Sequence, residues 1–183
     1  FLKAILGLQM DREACLRHHD MKIVYTPIHG TGSRLMFDSL KMWGFDNVIH
    51  VPEQDVQSGD FPTVASPNPE NPEAMAMGIA KAKETGAQLV LASDPDADRI
   101  GLVVRDKQGN YQLVNGNQIV MLFLYYIITR NRELGRITGN EYCVKTIVTT
   151  ETIRRIADAN HVTCYDCYTG FKWIADVMRN HEG

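Results

Sequence analysis

The chain has few of the features that mark membrane proteins, secreted proteins or nucleic-acid-binding proteins. Its longest apolar stretch, residues 119–128, is too short to span a bilayer and contains two tyrosines. Lysine and arginine number 19 against 22 aspartates and glutamates, and the net charge of −3 gives no basic surface for nucleic acid. The first residues show no signal-peptide pattern. We therefore expect a cytoplasmic location, with no membrane partner and no nucleic-acid partner.

Cysteine is also scarce, with four residues in the chain, and we expect these thiols to be reduced. Cys164 and Cys167 have the spacing of redox and zinc sites. However, residues 162–165 are typical of a strand, and the sequence offers no second pair of ligands. A structural role for this pair of cysteines is therefore favoured.

Carboxylates are present in an unusual arrangement, because Asp94, Asp96 and Asp98 alternate along the chain and Arg99 follows them. Short aliphatic segments on both sides, residues 87–92 and 100–104, predict strands, so residues 94–99 form a loop between them. Three carboxylates this close repel one another unless a cation lies among them. Magnesium takes such hard oxygen ligands and usually acts beside a phosphate. We name residues 94–99 the metal loop and its three aspartates the aspartate triad.

The metal loop has two other interpretations, an EF-hand and a solvated acidic turn. An EF-hand would have glycine at the sixth position and glutamate at the twelfth, where this sequence has Arg99 and Arg105. Strands rather than helices flank the loop, which also argues against an EF-hand. A solvated acidic turn remains the plainer alternative, although a turn gains nothing from three aspartates.

Strand and helix patterns alternate along the chain, which predicts an α/β fold of two consecutive sandwich domains, with mostly parallel sheets and helices on both faces. The polar turn at residues 106–110 marks the expected domain boundary. Helices are predicted over residues 33–43, 71–85, 116–131, 152–160 and 171–179, and strands over 21–25, 48–51, 111–114, 142–148 and 162–165, besides the two that flank the metal loop.

A glycine-bearing turn, residues 29–32, connects the first strand to the first of these helices. Free backbone amides ahead of a helix can hold a phosphate, because the helix dipole favours anions. A tight strand-to-helix connection needs the same kind of turn without any ligand. The sequence leaves both interpretations open.

The metal loop resembles the magnesium loop of the α-D-phosphohexomutase superfamily, the phosphoglucomutases and phosphomannomutases. Four other segments resemble motifs of this family in the family's order: residues 25–32, 68–70, 116–119 and 169–173. The resemblance implies a lead-in from the first domain at residues 1–19, the second domain at 20–109 and a truncated third domain at 110–183.

The family's phosphorylated serine, in a Ser-His-Asn-Pro context, is absent from this sequence. Ser66 lies in a similar segment, but Pro67 stands where the family has histidine, so we interpret this segment as an ordinary loop. We expect the chain to be a piece of a longer enzyme whose first and fourth domains would be its partners.

The resemblance implies a phosphosugar mutase, an isomerase that moves a phosphoryl group between C1 and C6 of a hexose phosphate. A phosphoserine and a hexose bisphosphate, as intermediate and activator, would carry the group. The aspartate triad would hold one magnesium ion, Arg99 would act in catalysis, and Asp98 and Arg99 would contact the phosphosugar. Thr169, Gly170 and Lys172 would also bind the substrate. This piece alone is expected to be inactive.

Two rival functions belong to other classes. One is a non-catalytic module that binds a metal or a phosphosugar. The other is a metal-dependent phosphatase of an unrelated family, since Asp94 follows a strand, where such enzymes place an aspartyl nucleophile. Release of free phosphate would distinguish the phosphatase from a mutase.

Overall fold

The computed structural model describes residues 1–181, which fall into two compact units, Phe1–Gly116 and the part that begins at Asn117. The first unit contains α1 Leu2–Leu6, α2 Arg12–Arg17, β1 Ile23–Thr26, a 3-10 helix Thr31–Arg34, α3 Met36–Met42, β2 Val48–His50, α4 Pro52–Asp55, α5 Pro72–Thr85, β3 Leu89–Ser93, β4 Ile100–Arg105 and β5 Tyr111–Val114. After these come α6 Gly116–Glu133, β6 Tyr142–Thr146, α7 Thr152–Ala159, β7 Thr163–Cys167 and α8 Phe171–His181.

The sheet of the first unit has the order β2-β1-β3-β4-β5. Strands β2, β1 and β3 are parallel, whereas β3 with β4 and β4 with β5 are antiparallel. The predicted α/β class is confirmed, and this sheet is mixed, because the metal loop joins two neighbouring strands as a hairpin. The carboxyl ends of β1, β2 and β3 meet at one edge of the sheet, where the metal loop begins.

Helices cover both faces of this sheet, as predicted. Val24 of β1 and Val90 of β3 lie side by side and share a buried cluster with Met75 of α5. Tyr25 points to the opposite face, because successive strand residues alternate, and its ring meets Phe37 of α3 edge-on at 5.1 Å. All four residues of β1 are buried as a result.

Helix α5 follows its sequence signals closely. Pro72 occupies the first helical turn, where a missing N–H costs nothing. Gly86 ends the helix in the left-handed conformation, with φ of 70°. A Cβ on Gly78 would lie 2.8 Å from the Val90 side chain, so the helix approaches the sheet where glycine leaves room. This close approach fixes β3, which leads into the metal loop.

Residues 1–19, the predicted lead-in, pack on the rest of the first unit. The Gln9 side-chain amide donates to the carbonyl oxygen of Trp43 at 3.0 Å. The backbone N–H of Asp46 donates to the carbonyl oxygen of His19 at 2.8 Å. These contacts join the lead-in to the segment that follows α3.

The two units divide after Gly116, beyond the polar turn at residues 106–110. Strand β5 pairs antiparallel with β4 and so extends the first sheet. The Tyr111 hydroxyl donates to the carbonyl oxygens of Ala82 and Ala87, at 2.9 and 2.8 Å. Sequence periodicity assigns a strand but does not show which sheet the strand joins.

The second unit contains a parallel pair, β6 and β7, packed on α6 and α7 through buried Ile128, Ile153 and Val162. Cys143 and Cys164 are register partners on these strands, and burial raises the pKa of the Cys143 thiol to about 12. Cys167 lies three residues beyond the buried Cys164 and so points to the other face of β7. All four cysteines are free thiols.

A charge cluster holds this pair of strands to α7. The Lys145 ammonium is buried and lies 2.7 Å from Glu151 Oε1 and 2.8 Å from Asp166 Oδ1. The Arg154 guanidinium pairs with Asp166 Oδ2 and donates to the carbonyl oxygen of Cys164 at 2.8 Å. The hydrogen bond from Lys145, helped by that from Arg154, keeps the pKa of Asp166 below its usual range although burial opposes this.

We expect the Asp166→Asn substitution to weaken the second unit at neutral pH and to reduce its sensitivity to acid. A lowered native pKa stabilises the fold above the carboxyl's unfolded pKa, and this stabilisation is lost as the pH falls through the native pKa. Since the Asp166 side chain is 40% exposed, the loss at pH 7 should be about 1 kcal/mol. Denaturant unfolding followed by Trp173 fluorescence, with Trp43→Phe as background, measures it from pH 7 to pH 3. Asp158→Asn is the control, and equal acid sensitivity in the two variants would contradict this account.

No helix within residues 1–181 is both long enough and apolar enough to cross a membrane.

Candidate metal centre

The metal loop is the connection of the β3–β4 hairpin, closed by the register pair Ser93 and Ile100. The Ala97 N–H donates to the Asp94 carbonyl oxygen at 3.0 Å. Ala97 has a φ of 62°, a left-handed conformation that turns the chain back toward β4. The tight reversal places the alternating aspartates close together at the edge of the sheet.

The aspartate triad forms a cluster of potential metal ligands. One carboxylate oxygen from each residue lies within 4.8 Å of those from the other two. The three carboxylates are therefore close enough for side-chain movements to bring them around one ion. Asp94 is 5% exposed, and Asp96 and Asp98 are exposed. The cluster therefore combines one buried carboxylate, that of Asp94, with two carboxylates that face solvent.

Arg99 fixes the orientation of Asp94. Its backbone N–H donates to Asp94 Oδ1 at 3.0 Å. Its side-chain Nε lies 3.4 Å from Asp94 Oδ2 and 3.7 Å from Asp98 Oδ1. Because both ion pairs use Nε and the side chain is 59% exposed, the outer guanidinium remains available to an anion at the rim of the cluster.

The electrostatics of the triad fit a dication. Partial burial, and then the carboxylates of Asp96 and Asp94, raise the pKa of Asp98, and the Arg99 guanidinium opposes this only in part. The second part of this rise in the pKa of Asp98 reports repulsion between negative charges. Hard oxygen donors under mutual repulsion are the ligand set that magnesium binds.

The glycine-bearing turn supports the metal loop, and the N–H groups of His29, Gly30 and Thr31 are bonded within the fold, so these three are not free to hold a phosphate. The His29 N–H donates to the Gln54 carbonyl oxygen at 2.8 Å, and the Gly30 N–H donates to that of Pro27 at 2.8 Å. The Thr31 N–H and hydroxyl both donate to the Pro95 carbonyl oxygen, at 2.8 and 3.1 Å. These three amides are thus already bonded, and Thr31 binds the metal loop directly.

Two glycines of the turn are required by close approach. A Cβ on Gly30 would lie 2.4 Å from Pro95 Cα and 2.9 Å from the Asp94 carbonyl oxygen. A Cβ on Gly32 would lie 2.2 Å from the Tyr25 hydroxyl and 2.5 Å from Ser93 Oγ. The turn and the metal loop are therefore in direct backbone contact.

His29 has a structural part in this support. It is 3% exposed, and its Nδ1 lies 2.9 Å from the Val56 carbonyl oxygen. Since that oxygen can only accept, Nδ1 carries a proton, and Nε2 bonds to the Thr63 hydroxyl at 2.8 Å. Both ring nitrogens of His29 are therefore bonded inside the fold.

Tyr25 and Ser93 form a buried hydrogen bond of 2.8 Å directly behind Asp94, and sequence reasoning missed both residues. Burial raises the pKa of Tyr25 to about 12, so its hydroxyl stays protonated. A cavity of about 220 Å³ beside the metal loop is lined by both residues and by Asp98 and Arg99. The sequence could have indicated these two residues only through their positions near the carboxyl ends of β1 and β3, which meet at the same edge of the sheet.

We expect Tyr25→Phe and Ser93→Ala each to lower the free energy of unfolding of the first unit by about 1 kcal/mol. Each substitution removes one of the two hydroxyls and leaves the other buried hydroxyl without its partner. If the bond itself stabilises the fold, the double variant should cost less than the sum of the two single variants. Urea unfolding of the four proteins in the cycle measures this coupling. Strict additivity would show that the two hydroxyls do not interact.

The remaining predicted site residues lie in the second unit, at the connection from β7 to α8. Thr169, Gly170 and Lys172 are all exposed. Gly170 has a φ of 116°, which a residue with a side chain rarely adopts, and its carbonyl oxygen accepts the N–H of Trp173 at 3.1 Å. Lys172 Nζ lies 5.1 Å from the centre of the Trp173 ring. The structure thus forms an exposed polar loop of these three residues.

Comparison with known proteins identifies the family of this chain. The family model described as phosphoglucomutase/phosphomannomutase, alpha/beta/alpha domain II, matches residues 1–109, and that of domain III matches residues 115–183. The phosphoglucomutase of Staphylococcus saprophyticus is 37% identical over 164 residues, which are 90% of this chain and 29% of that protein. The phosphomannomutase of Mycoplasmoides pirum is 36% identical over 159 residues, 87% of this chain and 28% of that protein.

Solved structures show the same fold. A phosphoglucomutase/phosphomannomutase family protein from Burkholderia thailandensis superposes with a TM-score of 0.70 at 22% identity, covering 97% of this chain and 36% of that one. The N-acetylphosphoglucosamine mutase of Aspergillus fumigatus, solved with GlcNAc-6P and magnesium, gives 0.63 at 18% identity, with 95% and 36% coverage.

The chain is an α/β protein of two units. One of them has a carboxylate cluster at the carboxyl edge of its sheet. The chain belongs to the phosphoglucomutase/phosphomannomutase family, of which it matches the second and third domains. It spans less than a third of the length of the curated relatives described above.

Proposed function

We propose that this chain is the magnesium-binding part of a phosphosugar mutase of the phosphoglucomutase/phosphomannomutase type. The observation that carries the proposal is the aspartate triad, whose oxygens lie within 4.8 Å of one another with Arg99 at the rim. Relatives at 37% and 36% identity that are named phosphoglucomutase and phosphomannomutase support this reaction class, an isomerisation by internal phosphoryl transfer.

The roles of the residues follow from their positions. Asp94, Asp96 and Asp98 would hold one magnesium ion, which when bound offsets the negative charge of a transferring phosphoryl group. Arg99 holds Asp94 in place through its backbone N–H and would use its exposed guanidinium to bind a phosphate oxygen. Asp98, exposed beside Arg99, would contact the substrate as well as the metal.

The second unit would supply the sugar contacts. Thr169 and Lys172 offer a hydroxyl and an ammonium group on an exposed loop that Gly170 shapes. Hydrogen bonds from such groups to sugar hydroxyls and to phosphate fix orientation during transfer. In the proposed reaction a phosphoserine outside this chain gives its phosphoryl group to the hexose phosphate. The resulting hexose bisphosphate, which also serves as activator, returns its other phosphoryl group to the serine.

The phosphatase alternative requires Asp94 to act as a nucleophile. Asp94 is 5% exposed, and Arg99 occupies both of its carboxylate oxygens, one by the backbone N–H and one by Nε. These contacts support a role as a fixed ligand rather than as an attacking group.

Turnover assays with hexose 1-phosphate and a bisphosphate activator test the proposal. We expect an intact enzyme that contains this chain to form hexose 6-phosphate, and the 183-residue chain by itself to form neither hexose 6-phosphate nor free phosphate. Free phosphate released by the chain would instead support the phosphatase, and an intact enzyme without isomerase activity would refute the mutase.

A further inference from the structure

A second polar cavity, of about 370 Å³, lies in the first unit outside the metal loop. It is lined by Ser33, Arg34, Phe37, His50, Asp55 and Gln57. These residues come from the 3-10 helix, α3, the carboxyl end of β2, α4 and the segment after α4. We name it the Arg34 pocket. None of its lining residues belongs to the aspartate triad or is Arg99.

The walls of the Arg34 pocket are held in place by contacts among the lining residues. The Phe37 and His50 rings stack with centroids 3.6 Å apart and planes inclined by 11°. His50 Nδ1 lies 2.6 Å from Asp55 Oδ2. The Gln57 amide donates to Ser33 Oγ at 3.2 Å, and Ser33 Oγ donates to the Gly30 carbonyl oxygen at 3.1 Å. The cavity is therefore a built feature of the fold.

Two polar groups of opposite kind in this pocket lack partners. Asp55 Oδ1 is buried and accepts no hydrogen bond from the part of the chain that the structure describes, a costly state for a carboxylate oxygen. Arg34 is exposed, and within residues 1–181 its guanidinium has no ion pair or hydrogen bond. His50 Nε2 is also available, because Nδ1 makes the contact with Asp55. The Asp55 oxygen needs a donor, the Arg34 guanidinium can bind an anion, and His50 Nε2 can bond to a P–OH group.

We propose that the Arg34 pocket binds a small phosphorylated hydroxy compound, with its phosphate on Arg34 and His50 and a hydroxyl donating to Asp55. A planar guanidinium matches phosphate oxygens in pairs, and the neighbouring imidazole nitrogen can accept from a P–OH group while its proton is on Nδ1. The stacked Phe37–His50 pair provides an apolar wall for the carbon skeleton. The cavity volume is within the range of small-molecule sites.

Titration of the full 183-residue chain with glycerol 3-phosphate, inorganic phosphate and glycerol tests this site. Calorimetry gives the affinities, and NMR shifts of the His50 ring protons give the location. We expect glycerol 3-phosphate to bind about tenfold more tightly than inorganic phosphate, because it also carries hydroxyls, and glycerol not to bind. Arg34→Ala should weaken glycerol 3-phosphate binding about tenfold, and Arg34→Glu should abolish it. Arg17→Ala, which removes another exposed arginine, should leave it unchanged.

The same titrations with EDTA present and in the Asp96→Asn variant separate this site from the metal centre. Unchanged affinity under both conditions would support an independent pocket, even if the chain failed to bind magnesium. Affinity that survives Arg34→Glu, or shifts confined to the metal loop, would overturn the proposal.

Discussion

Replacing Asp94, Asp96 and Asp98 together by asparagine should lower the magnesium affinity of the chain by more than about a hundredfold. Loss of a residue that merely orients a metal ligand costs roughly ten- to a hundredfold in affinity, and this variant loses three ligand charges at once. Among single variants, Asp94→Asn should be the most damaging, because Asp94 is buried and pairs with Arg99 through both oxygens. Isothermal titration with magnesium chloride measures these affinities.

Asp60→Asn is the matched control, since it removes one aspartate from a loop outside the triad. Thermal melts add an independent readout, because an ion that binds the folded state raises the stability by about 2.7 kcal/mol at a hundredfold excess over its Kd. Wild type and Asp60→Asn should gain stability with magnesium, and the triple variant should gain none. Wild-type affinity in the triple variant would contradict the assignment of the triad.

The Gly30→Ala variant should have the second largest effect, although it adds a single methyl group away from the carboxylates. The new Cβ would lie 2.4 Å from Pro95 Cα and 2.7 Å from the Pro95 carbonyl oxygen. Both neighbours are backbone atoms, so the metal loop must move. We expect a loss of about 2 kcal/mol in unfolding free energy, together with roughly tenfold weaker magnesium binding, because the carboxylates move with Pro95.

Gly59→Ala is a close control, because a Cβ at Gly59 would meet no atom within 4 Å and Gly59 has no left-handed φ. Urea unfolding and magnesium titration of the two variants give both quantities. If Gly30→Ala loses stability and keeps full magnesium affinity, the turn supports the fold without positioning the metal loop.

Much of the candidate site could be predicted from sequence because its signals are local. The alternating carboxylates lie within one six-residue loop, and the aliphatic segments on both sides specify the strands that carry it. The sequence predicts both ends of helix α5, because Pro72 is typical of a helix start and Gly86 of a helix end. Where the residues that determine a structure are neighbours along the chain, the sequence pattern is sufficient to predict that structure.

The remaining features depend on contacts between distant parts of the chain. The turn at residues 29–32 has the composition of a phosphate-binding turn, but the carbonyl oxygens that accept its amides belong to Pro27, Gln54 and Pro95. Strand β5 follows the predicted boundary, yet pairing with β4 places it in the first sheet. Helix α4 has four residues, too few to produce a helical period. The Arg34 pocket likewise combines residues from separate elements.

We propose that the aspartate triad binds one divalent cation in the first unit. Crystals of the chain grown with manganese chloride test this binding, since manganese shares the oxygen-ligand preference of magnesium and has an anomalous signal. We expect one strong anomalous peak per chain, in contact with a carboxylate oxygen from each of Asp94, Asp96 and Asp98. A peak at other residues, or none under conditions where calorimetry shows saturation, would contradict it.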